Sequence, residues 1–185
     1  WVARLGIRVR TVDKADEPGT TSRALAVQVR TLELYGQLGI AEDVVAGGVK
    51  IQAINFWVNG KRVVRVPFRQ LGEGLTPYSF VLIYPQDAHE RQLIARLKNE
   101  CVEVERGVEL IRFEDQGDRI RATLRLADGG EELCESVYLA GCDGASSVVR
   151  ESPGIGFPGG TYEGFFYVAD VDATGQAKEE ELDID

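Results

Sequence analysis

The stretch AGCDGASSVVRE, residues 140 to 151, sets a single carboxylate directly after the apolar run VYLAGC, with a glycine close on either side. A strand that ends in glycines and turns into a helix is where an open α/β sheet presents backbone N–H groups to the phosphates or sugar of a ligand. Asp143 and Gly144 are therefore candidate ligand residues. The same residues also spell an ordinary turn in which Asp143 caps a helix opening near Ala145, and the stretch alone leaves both readings open. A second carboxylate, Asp13, lies in IRVRTVDKA, where Ile7 and Val9 alternate with Arg8 and Arg10 as in a strand. WVARLG before it ends in Gly6, a residue type that stops helices by turning left-handed. A helix followed by a strand with an acid at its end is the second half of a βαβ unit. In a dinucleotide fold the first half carries a strand and a glycine-rich turn.

Other chemistry-bearing side chains exclude more than they offer. Cys101, Cys134 and Cys142 are far apart, no CxxC occurs, and His89 is the only histidine, so neither a metal site nor a disulfide framework is expected. The three thiols read as those of a reducing, cytoplasmic setting. His89 sits among acidic neighbours in QDAHERQL, which reads as the first turn of a helix, and is expected to be solvated. No Ser/His/Asp or Cys/His constellation can be built around it, and no catalytic residue is assigned.

The elements that must position these residues are bounded by composition. The chain has 185 residues, 44% of them apolar and 28% charged, enough for one large domain or two small ones. With 21 basic and 30 acidic residues the net charge is −9, and no basic run exceeds two residues, which argues against nucleic acid or an anionic membrane surface as partner. The longest apolar runs, such as FFYVA, are far short of the ~20 residues that span a bilayer. No signal peptide is read. Residue 1 is Trp and Met is absent, so a fragment or processed product is expected.

Along the chain, Thr21 and Ser22 are read as N-caps of a helix to about Leu38, with Leu25, Val29, Leu32 and Leu34 on its apolar side and Gly39 as its stop. AEDVVAGG reads as a short helix, and FWVNGKRVV as a hairpin whose Asn59-Gly60 pair demands a type I′ turn. YSFVLIY is a buried strand candidate, and QDAHERQLIARLKNE a helix with Leu93, Ile94 and Leu97 on one face. DRIRATLRLADGGEELCESVYLAG reads as two long strands joined by a glycine turn, with Ile120, Ala122, Leu124 and Leu126 facing one way and the second strand running to Gly141. GFFYVADVDA reads as a further strand and KEEELDID as a frayed end.

Three segments, SRALAVQVRTLELYGQLG, YPQDAHERQL and YLAGCDGASSVVRE, resemble in order and spacing the FAD-dependent aromatic-ring hydroxylases, the flavoprotein monooxygenases typified by para-hydroxybenzoate hydroxylase. The resemblance covers nearly the whole chain. It implies an α/β fold: a partial FAD-binding, Rossmann-like domain of the glutathione-reductase type, interleaved with a β-rich substrate domain. Residues 1–48 and 85–158 would belong to the FAD-binding domain, and 49–84 and 159–185 to the substrate sheet. By the same resemblance Asp13 holds the adenosine ribose, Arg23 stands against the flavin side of the cofactor, and Gln86 reaches the ribityl chain. Asp143 and Gly144 lie near the pyrophosphate. Arg23 opens a helix, where a cation is electrostatically disfavoured and an anionic partner is expected. The family's GxGxxG and its later GD motif have no counterpart here, so the chain on its own is expected to be inactive. The implied reaction is hydroxylation of a small phenolic or polyketide-like aromatic with FAD, NAD(P)H and oxygen. A halogenase or isoprenoid reductase on the same fold, or a binding module without cofactor, are the rival readings.

Overall fold

Asn-Gly between two β-rich runs leaves the backbone little choice, because a type I′ turn needs positive φ at both central residues. In the computed structural model, which describes residues 1–19, 26–68, 72–165 and 180–185, Asn59 and Gly60 have φ of 51° and 72°. They join β4 (Ala53–Val58) to β5 (Lys61–Pro67) as read. The fold is mixed α/β, and its contacts divide it into two compact units. One holds Gly19–Arg96 with the C-terminal strand; the other holds Val2–Pro18 and Leu97–Tyr167.

The first unit contains two three-stranded sheets. In one, β6 (Val81–Ile83) lies between β2 (Ala26–Val27) and β3 (Val49–Ile51), antiparallel to both. Helices α1 (Val29–Leu38) and α2 (Ala41–Ala46) pack against each other, and Leu32, Val44 and Leu82 are fully buried in one cluster with Val27 and Tyr84. Gly39, with φ 71°, ends α1 as expected. The start of that helix differs from the reading: it opens at Val29 after Gln28, while Ala26 and Val27 pair with Ile83 and Leu82. Burial of Val27 in that ladder outweighs continuation of the helix. Thr21, Ser22 and Leu25 lie outside the described residues. The helix read after YSFVLIY is α3 (Gln86–Asn99).

In the second sheet of this unit, β11 (Glu181–Ile184) runs parallel to β4, which pairs with β5. The expectation of a frayed acidic end is corrected here. Alternation in ELDI puts Glu181 and Asp183 on one side, where both accept from the Asn55 amide at 2.9 Å, Asp183 accepts from Trp57 Nε1 at 2.8 Å, and Arg65 pairs with Glu181 at 3.0 Å. Most of GFFYVADVDA lies outside the described residues.

In the second unit β1 (Thr11–Asp13) and β7 (Val104–Arg106) form a parallel pair. Strands β8 (Glu109–Asp115), β9 (Ile120–Arg125) and β10 (Glu131–Ser136) form an antiparallel meander. Val108, Ala122 and Leu124 are buried between them, with Leu126 packed alongside. Ala122 and Leu124 share one cluster as read, but Thr123 between them is buried as well, and β10 stops at Ser136 rather than Gly141. Its partner β9 begins at Ile120, opposite Ser136, so the residues beyond have no rung to join, and Tyr138 is 89% exposed. WVARLG forms one 3-10 turn, Ala3–Leu5, closed by Gly6 at φ 76°, and only Thr11–Asp13 of the expected strand enters a ladder. A short helix, α4 (Val148–Glu151), follows the Asp143 turn. Among the described residues no helix is long and apolar enough to cross a membrane.

Candidate functional site

Asp13 and Arg106 are the last residues of β1 and β7, paired in parallel register. The carboxyl ends of parallel strands are where open α/β sheets receive ligands. Arg106 Nη1 donates to Asp13 Oδ2 at 2.8 Å, and the Ala15 N–H donates to Oδ1 at 3.0 Å. Both oxygens are oriented, yet each carboxylate oxygen accepts two hydrogen bonds, so capacity remains for donors such as sugar hydroxyls. The Asp13 side chain is 42% exposed, which leaves it open to a ligand. Gly107, at φ 67°, turns the chain directly after Arg106, and a Cβ there would meet Ala127 Cβ at 3.0 Å. Arg106 was not singled out from sequence. Its only signal is being the last residue of a short alternating segment, and the parallel pairing that sets it beside Asp13 spans ninety-three residues.

The Asp143 turn is built locally. Ser147 caps α4, its Oγ accepting from the Arg150 N–H at 3.1 Å, and donates its own hydroxyl to Asp143 Oδ1. The Val149 N–H approaches Asp143 Oδ2 at 3.4 Å. Burial pushes the Asp143 carboxyl up, but the Ser147 hydroxyl and backbone N–H groups together hold it below the ordinary carboxylate range. A 3-10 turn, Gly144–Ser146, opens directly after Asp143, close to the start read at Ala145; the Asp143 side chain does not cap that turn but supports the α-helix, which begins at Val148, through Ser147. Gly144 has φ 79°, a conformation other residues adopt only under strain, and a Cβ on Gly141 would stand 2.5 Å from Val149 Cβ. Both glycines are therefore required by the path of this turn. Arg150, also missed from sequence, donates to Ala145 O at 2.8 Å and lies 4.5 Å over the Phe157 ring.

In the first unit Gln86 opens α3 and lines a concave site of about 260 Å³ with Ala26, Val27, Gln28, Thr31, Tyr84 and His89. The described lining side chains are uncharged or, for His89, weakly basic. His89 is not the solvated residue expected: it is half-buried, its Nε2 is 3.0 Å from the Tyr35 hydroxyl, and the Tyr84 ring lies 5.5 Å away. Burial lowers the His89 pKa and raises that of Tyr35. The Tyr84 hydroxyl donates to Gln92 Oε1 at 3.1 Å. A signal was present in sequence, since Gln86 and His89 are three apart and share a helix face. Of the five residues picked out by resemblance, Asp13, Asp143 and Gly144 are in the second unit and Gln86 in the first. Arg23 lies outside the described residues. No cluster of metal-ligating side chains occurs among the described residues.

The family model for an FAD binding domain matches residues 2–181. The 6-methylpretetramide 4-monooxygenase of Streptomyces rimosus is 40% identical over 154 residues, which is 83% of this chain and 27% of that enzyme. A solved ternary complex of aklavinone-11 hydroxylase with FAD and aklavinone is similar at a TM-score of 0.73 and 29% identity, over 83% of this chain and 31% of the other. The p-nitrophenol 4-monooxygenase of Pseudomonas putida DLL-E4 shares the fold at a TM-score of 0.81 and 20% identity, over 87% of this chain and 41% of that one. The chain spans between 24% and 35% of the length of the curated relatives it matches. With residues 2–181 of its 185 matched, the chain belongs to the FAD binding domain family.

Proposed function

We infer that this chain is the FAD-holding part of a monooxygenase that hydroxylates a small phenolic or polyketide-like aromatic, with NAD(P)H as reductant and in the cytoplasm. The single observation that carries this is the match of residues 2–181 to the FAD binding domain. The donor set fits the cofactor. Asp13, oriented by Arg106, has lone pairs for ribose hydroxyls, and the concave site around Gln86 offers uncharged donors and acceptors. Gly144 supplies a turn whose backbone can approach a phosphate closely, supported from behind by the Asp143–Ser147 bond. Arg23 adds a cation for the pyrophosphate or ribityl oxygens.

Bound FAD supplies the redox and oxygen-transfer chemistry of such enzymes. The work of this chain's residues is to hold the sugar, bear the phosphate charge and keep water from the site. We also assign 1–48 and 85–158 to FAD binding, supported by the β1–β7 pairing, and 49–84 and 159–185 to the substrate sheet, supported by the β11–β4 pairing. In the test, NAD(P)H consumption by the full-length protein is followed with a panel of phenols and polycyclic aromatics. Accelerated consumption with an oxygenated product is expected. Unaccelerated consumption yielding only peroxide across the panel would refute the hydroxylase reading.

A further inference from the structure

His89 lies on the first turn of α3, one helical turn after Gln86, and both line the concave site. Its Nε2 is engaged by the Tyr35 hydroxyl of α1, and the Tyr35 and Tyr84 rings flank the imidazole at 5.6 and 5.5 Å between centroids. These two phenols are the titratable groups that face it, and the Tyr84 hydroxyl is turned to Gln92. The charged groups on the neighbouring elements are engaged elsewhere or exposed. Arg30 pairs with Glu33 on α1, Arg91 with Asp87 on α3, and Glu90 accepts from the Gly19 N–H. Glu42 and Asp43 of α2 are exposed, and β2 and β6 carry no ionisable residue. Among the described residues, then, no carboxylate forms an ion pair with His89.

We propose that His89 is a positioning residue of this site: its uncharged ring, fixed by Tyr35, supports an uncharged part of the ligand, and occupancy falls when the ring takes up a proton. The proposal rests on the reading of the chain as FAD-holding. A ligand seated against the ring removes the water that would hydrate an imidazolium, and the described lining residues offer no anion in exchange. The ligand therefore prefers the neutral ring, and by linkage the ring resists protonation more strongly once the site is filled. Burial already acts in that direction in the free protein.

Two measurements test this. Because His89 is the only histidine of the chain, its imidazole signals in an NMR pH titration of the ligand-free chain are unambiguous. A ring that titrates below the ordinary imidazole value is expected, and one at or above it would overturn the proposal. In the second, FAD affinity of the full-length protein is measured by flavin fluorescence between pH 5 and 8, for wild type and His89→Gln. The wild type should lose up to about tenfold in affinity per pH unit below the ring's titration, and His89→Gln should show a flatter profile. Parallel profiles for the two proteins would overturn the proposal while leaving the FAD reading intact. Absence of FAD binding at every pH would sink the FAD reading instead, and the ligand-free titration would then decide the role of His89.

Discussion

The two units prepare their ligand residues in opposite ways. In the second, the candidate residues are carboxylates already held by the protein: Asp13 by Arg106 and the Ala15 N–H, Asp143 by Ser147. In the first, the concave site around Gln86 is lined by amides, a hydroxyl, a phenol and an imidazole without a carboxylate partner. A charged residue needs internal partners to stand in one place at a tolerable cost. An uncharged lining needs no such anchors, but it selects against charge on whatever it meets and on its own histidine. The second unit thus offers oriented carboxylate oxygens to hydroxyl donors, and the first an uncharged lining to an uncharged group.

The largest effect that would sharpen this contrast is steric and confined to the second unit. Gly141→Ala would place a Cβ 2.5 Å from Val149 Cβ, close to the backbone of α4, which cannot yield without moving the Asp143 turn. A loss of about 1 to 3 kcal/mol is expected in denaturant unfolding, with hydrogen exchange rising first around Ser147 to Glu151. Stability unchanged by this substitution would mean that the turn is not packed as described.

Acidification separates the units by pH window. His89, with its pKa lowered by burial, resists protonation in the folded protein. Protonation of the unfolded chain therefore draws stability from the first unit as pH falls below the ordinary imidazole value and on through the folded one. Asp143, held below the ordinary carboxylate range, contributes stability that is present above the unfolded carboxylate pKa and is lost only as pH falls through its lower folded value. Residue-resolved hydrogen exchange from pH 7 downward should show protection around α3 weakening before that around α4. The reverse order would break the comparison.

The smallest effect lies just after α3. Cys101 has φ 57°, in the left-handed region that glycine occupies without strain, and its N–H closes the helix on Lys98 O at 3.0 Å. Cys101→Gly relieves that strain but adds unfolded-state freedom, and a net gain of about 0.5 kcal/mol is expected from thermal unfolding. A loss of stability would show that the exposed thiol contributes packing that outweighs the strain.

Local chemistry was legible in the sequence wherever one or two residues decide the backbone. Asn59-Gly60 dictated the hairpin, Gly39 the end of α1, and Ala122 and Leu124 the buried side of the meander. Pairings over long separations were not legible. Val27 leaves the expected helix because Leu82 lies opposite it, and the acidic tail becomes β11 because Asn55, Trp57 and Arg65 satisfy its carboxylates. The candidate site divides in the same way. Asp13 at a strand end, Gln86 at a helix start and Gly144 in a turn were visible from local pattern and resemblance. Arg106 was not, because nothing near it in sequence announces a carboxylate ninety-three residues away. The burial of His89 also depended on Tyr35 from another helix.

The central claim, that Asp13 at the carboxyl end of the β1–β7 pair holds a sugar of the cofactor, is tested most directly by FAD affinity of the full-length protein and its Asp13→Ala variant at neutral pH. Removing one charge-assisted hydrogen-bonding group should cost about 1.5 to 3 kcal/mol, read as a loss of roughly tenfold to a hundredfold in affinity with folding retained. Equal FAD affinity in the two proteins would contradict the account.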